Sequence, residues 1–111
     1  MNSSILEDIK SLVGPDTYED FEIDLIIHIN TALGILNQVG VGPAEGFAIT
    51  GSAETWDDFV TNPVIVQEVK SYVYLKVRLL FDPPQSAAAI DSMKALSDEL
   101  IWRIQVKADP T

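Results

Sequence analysis

The stretch Leu79–Met93, LLFDPPQSAAAIDSM, decides how the chain is read. An apolar run reaches Asp82-Pro83-Pro84, stops, and restarts as an alanine-rich segment. Pro83 disfavours helical geometry at Asp82, Pro84 does the same to Pro83, and neither proline carries an N–H. A rigid corner therefore separates two helical regions. Upstream, Asn62-Pro63 supplies a cap and a proline at the first helical position. The helix that follows runs to Phe81, about 19 residues or close to 30 Å. Its Val, Ile, Leu, Tyr and Phe side chains cover most of the circumference, which places it centrally, contacted from several sides. Its β-branched content makes strand the competing reading, but the Asn-Pro start, the length and the lack of strict alternation favour helix. Downstream, Ser86 caps a helix to about Val106 whose face is Ile90, Met93, Leu96, Leu100, Ile101 and Ile104. Residues 62–107 thus read as an αα-hairpin with Asp82, Pro83 and Pro84 as its hinge.

Towards the N-terminus, Ser4 and Glu7 have capping-box spacing before a short helix, Ile5–Val13, closed by Gly14-Pro15. A second helix runs from Tyr18 to about Val39, capped by Thr17 with Asp20 three residues on. Its first turns carry Glu19, Asp20, Glu22 and Asp24, carboxylates suited to the positive helix end. Between these helices and the hairpin lies a glycine-rich loop, residues 40–55, around a β-like run, Gly46–Thr50, that suggests a short β-hairpin. A loop this long in a small domain is usually functional. Phe47 and Ile49 suggest that it touches a neighbour or its own chain. Thr55 and Asp58 then cap a short turn, Trp56–Val60. The expected fold is all-α: one domain, 1–111, a small bundle of about four helices, two long and two short.

The chain has 111 residues and a net charge of −10, from 17 acids against 7 bases. Such a surface repels nucleic acid and anionic membrane. Without cysteine there is no disulfide, thiolate metal site or Cys nucleophile. MNSSILEDIK has no signal-peptide pattern, and no apolar stretch approaches the roughly 18 residues of a membrane span. The chain reads as cytosolic, which leaves the sequon at Asn2 without a use.

Catalytic chemistry finds little material. His28 is the single histidine and sits in an apolar helix, where a structural placement outweighs a metal site. Gly40, Gly42 and Gly46 have the wrong spacing for a phosphate loop and no Lys-Ser/Thr follows. Asp57-Asp58 and Glu19-Asp20 are explained by capping as readily as by acid–base work. The chain is expected not to be an enzyme and to need no cofactor. Trp102-Arg103 is different. Both residue types are enriched at interaction hot spots, although Trp102 covering a core edge and Arg103 complementing the helix end explain them equally well.

Taken in order, SILEDIKSLVG, DLIIHINTALGILNQVGVG, WDDF before NPVIVQEVKSYVYLKVRLLFDPP, and AAAIDSMKALSDELIWRIQ resemble the head–tail connector (adaptor, or head-completion) proteins of long-tailed double-stranded DNA phages and prophages. The most specific part is Y-x-x-x-K-V-R-x-L-F-D-P-P closed by a W-R-I helix, and nearly the whole chain is covered. The resemblance implies a structural virion protein of the neck, assembled in the host bacterial cytoplasm. It implies a homo-oligomeric ring, about twelve-fold, whose subunits meet through two different surfaces. The ring sits under the portal protein, extends the DNA channel and docks the next neck or tail protein. In that frame Phe47, Ile49, Trp56, Trp102 and Arg103 are candidate interface residues. The acids Glu19, Asp20, Glu22 and Asp24, or Asp57-Asp58, are candidates for a channel lining that DNA passes without sticking. The glycine loop becomes a mobile arm that orders on assembly. The alternative is a small acidic DNA mimic or inhibitor of a basic partner, which needs carboxylates spread over one surface rather than gathered at helix starts. A metabolite-binding helical domain would need a polar pocket.

Overall fold

The computed structural model describes residues 3–14 and 18–108, with the side chains of 18–20 and 108 outside the described set. Thr17 and Pro15, expected to cap and close helices, and Asn2 of the sequon lie outside the described residues. Helix α1, Ile5–Val13, starts where the Glu7 N–H donates to Ser4 Oγ at 3.2 Å, and ends on Gly14, whose φ of 122° suits a residue without Cβ. Helix α2, Tyr18–Gln38, carries a non-helical residue at Phe21 (φ −122°, ψ 15°). That kink seats the Phe21 ring edge-on against Phe81 of a later helix, with centroids 5.6 Å apart.

Trp56–Phe59 forms a one-turn helix, α3, in which Asp58 Oδ2 accepts the Thr55 N–H at 2.9 Å. Helix α4, Pro63–Phe81, begins as expected, with Asn62 Oδ1 accepting the Val64 N–H at 2.9 Å. Helix α5 spans Ala87–Ala108, with the Ala89 N–H donating to Ser86 Oγ at 3.3 Å. There are thus five helices among the described residues, three of them long, where about four with two long were expected. The fifth is the α3 turn; α2 has close to the Tyr18–Val39 span expected for it, so the long helices number three.

Helix α4 packs against α1, α2 and α5, the central position its all-round apolar surface demands. Its contact with α5 is antiparallel: Glu68 near the start of α4 pairs with Lys107 near the end of α5. Val69, Val73 and Val77 of α4 meet the core with Leu25, Ile29, Leu33 and Leu36 of α2 and Leu100 and Ile104 of α5. Burial raises the pKa of the Tyr72 phenol; the neighbouring Ser97 hydroxyl opposes that rise and the Asp98 charge adds to it. A phenol held more tightly protonated when folded stabilises fully below the unfolded pKa of about 10 and loses that contribution above it. Thermal stability should therefore fall as pH rises beyond about 10, and Tyr72→Phe should flatten that alkaline limb in melts recorded across the range. A limb equally steep in the variant would exclude Tyr72 as its source.

The glycine-rich segment forms no hairpin. Among the described residues the single β-bridge pairs Ser4 with Thr55. The reason lies in α2: Asn30 Oδ1 accepts the Ile49 N–H at 2.8 Å, and Asn30 Nδ2 donates to the Ile49 carbonyl at 3.0 Å. One side-chain amide takes both groups that a partner strand would need. Further back, Asn37 Nδ2 donates to the carbonyls of Val41 (3.1 Å) and Pro43 (2.7 Å). Gly42, at φ 86°, lies so close to Phe59 that an added Cβ would sit 2.5 Å from its ring. The loop is accordingly laid onto the helices rather than extended as a mobile arm.

Candidate functional site

Of the residues expected at interfaces, the fold takes some inside. Trp56 is fully buried, its Nε1–H donating to Asp8 Oδ2 at 2.8 Å, and Lys70 Nζ lies 5.7 Å from its ring centroid. Ile49 is buried and Phe47 packs on Phe59 with centroids 5.3 Å apart. These side chains fasten the loop and α3 onto α1 and α2, so the outer surface at this point is made by other residues. Glu54 helps: its Oε2 accepts from the Thr50 N–H and Oγ1 at 3.1 and 2.9 Å. Burial alone would raise the Glu54 pKa, but the Thr50 bonds bring it below the ordinary value.

Trp102 is different, 64% exposed on α5 with Val106 one turn on, while Arg103 pairs with Glu99 at 3.4 Å. A second exposed apolar strip lies on α2, where Ile23 and Ile27 are 75% and 55% exposed. Their i, i+4 spacing puts them on one face. Of the candidate channel acids, Asp24 is exposed and Glu22 is half-buried in an ion pair with Lys10. The hydrogen bond that Lys10 donates to Glu22, the larger influence, outweighs desolvation and raises the Lys10 pKa. Glu19 and Asp20 belong to the first turn of α2, and their side chains lie outside the described set. His28 stacks obliquely near Phe81, with centroids 6.2 Å apart.

The hinge is reinforced. Arg78 Nε donates to the Asp82 carbonyl at 2.6 Å, and the Asp82 N–H donates to the Arg78 carbonyl at 3.0 Å. Beside it, between α4 and α5, opens a cleft of about 480 Å³. Leu79, Leu80, Pro83 and Ile90 form its apolar wall, with Lys76, Lys94 and Asp98 around them. Nothing in the linear pattern marks this cleft, because its two sides meet only through the antiparallel register of the hairpin.

Among the described residues no group of three or more His, Cys, Asp or Glu could hold a metal ion, and no helix is long and apolar enough to cross a membrane. What the surface presents is apolar strips and a cleft on a helical body, the equipment of a protein that docks onto other proteins. The sequence model of one family, described as phage connector protein, matches residues 5–111, and the chain belongs to that family. It is thereby a structural component of the phage particle, made to contact other capsid or tail proteins. No curated protein and no solved structure matches it significantly.

Proposed function

We propose that the chain is a head–tail connector subunit that closes into a ring under the portal, extends the DNA channel, docks the next neck or tail protein and does no chemistry of its own. The observation that carries this reading is the pairing of dissimilar exposed apolar surfaces, on α2 and on the α4–α5 hairpin, within one family member. A ring needs two different complementary surfaces per subunit. The acid excess of the chain suits a passage for DNA, since carboxylates give phosphates no counterion-release binding.

Ring closure also demands a fixed angle between subunit surfaces, and the proline corner stapled by Arg78 supplies stiffness there. Pro83→Gly/Pro84→Gly should cost about 1–2 kcal/mol by loosening the unfolded chain. It should also broaden the assembly from one subunit number to several in native mass spectrometry. A variant with the wild-type mass distribution would remove the hinge from the account.

A further inference from the structure

Five of the seven basic side chains are engaged within the chain. Lys10 binds Glu7 and Glu22, Lys70 lies over Trp56, Arg78 binds Asp82, Arg103 binds Glu99 and Lys107 binds Glu68. Among the described residues the two that remain, Lys76 and Lys94, both line the α4–α5 cleft. Asp98, the one acid in that lining, makes no ion pair within 4.0 Å of either. In a chain of net charge −10, the cleft is a local cationic site with an apolar floor.

Such a site fits an apolar ridge flanked by carboxylates. The chain carries one: among the described residues Ile23 is the most exposed large apolar side chain, Ile27 follows one turn later, and exposed Asp24 stands beside them. Glu19, Asp20 and Glu22 belong to the same stretch of α2. We propose that the cleft of one copy receives the Ile23–Ile27 face of α2 from a second copy, with Lys76 and Lys94 facing the acids beside that face. This rests on the ring reading and names the seam. Cleft and ridge are different surfaces, so the contact is head-to-tail and propagates from copy to copy. Charge complementarity selects the occupant: a neutral apolar helix would leave both lysines unanswered, and a basic one would be repelled. Asp24 then belongs to the seam between copies, and channel lining falls to other carboxylates such as Asp57 and Asp58.

The test uses two full-length variants. Lys76→Glu/Lys94→Glu spoils the cleft and leaves the ridge; Ile23→Asp/Ile27→Asp spoils the ridge and leaves the cleft. All four positions are at the surface or half-buried, and far-UV circular dichroism checks folding. Should the Asp variant fail to fold, Ile23→Ser/Ile27→Ser replaces it. In sedimentation velocity each variant alone should self-associate more weakly than wild type by on the order of a hundredfold. An equimolar mixture should form one-to-one pairs and nothing larger, because only one intact seam is available. Wild-type assembly by either variant, or a mixture of folded variants that stays monomeric, overturns this seam and leaves the ring reading standing. A wild-type chain that never associates overturns both.

Discussion

Trp56→Ala should lower the stability of the chain by about 3–5 kcal/mol, the range for deleting a fully buried tryptophan. For a domain of this size that is a large share of a total of roughly 5–15 kcal/mol, and Tm should fall by about 12–25 °C. The effect is large because the indole has several duties at once. Its ring fills the interior at the α3 turn, and its N–H satisfies Asp8, which also accepts from Ser3 Oγ at 2.7 Å. The backbone beside it is tied as well: the Trp56 N–H donates to the Ser3 carbonyl and the Ile5 N–H to the Glu54 carbonyl. Trp56→Phe keeps most of the apolar volume and loses the bond to Asp8, so it should cost about 1–2 kcal/mol. Chemical denaturation of the three proteins measures both steps. A loss under 1 kcal/mol for Trp56→Ala would mean that the indole is not in the core.

Asn30→Ala should cost about 2–4 kcal/mol, more than its half-buried position suggests. The substitution removes one side chain but strands two backbone groups, the N–H and carbonyl of buried Ile49. A buried group left unpaired costs about 1–3 kcal/mol. Asn30→Asp separates bonding from packing. It keeps an acceptor for the Ile49 N–H but sets a second oxygen against the Ile49 carbonyl, so most of the loss should persist although the shape is unchanged. Amide exchange at Ile49 should accelerate in both variants while that of Val73, deep in α4, follows global stability alone. Unchanged exchange at Ile49 would show that the loop is held by other contacts.

The elements that were legible in the sequence are those whose signals are local. Asn62-Pro63 and Asp82-Pro83-Pro84 bracket α4 within a residue, and Ser4 and Ser86 cap as their spacing implies. The resemblance carried the family, and the family is the one that matches. What could not be read depends on pairings distant along the chain. The alternation around Phe47 and Ile49 looks like a strand, yet Ile49 is claimed by the side chain of Asn30, 19 residues earlier. Trp56 looked available because a one-turn helix has no periodicity to show which way it faces; its partner Asp8 is 48 residues away. Lys76 and Lys94 sit on different helices and become neighbours only across the hinge, so the cleft has no trace in either helix alone. The one hint was Asn30 and Asn37, polar amides two turns apart in the largely apolar second half of α2, both of which bind the loop.

Repetition around an axis is the claim beneath all of this, and mass answers it most directly. Native mass spectrometry of the concentrated full-length chain should give one discrete species at a single high multiple of the 12.2 kDa subunit. A chain that stays monomeric at every concentration, or one that forms a continuous ladder of sizes with no preferred member, would contradict it.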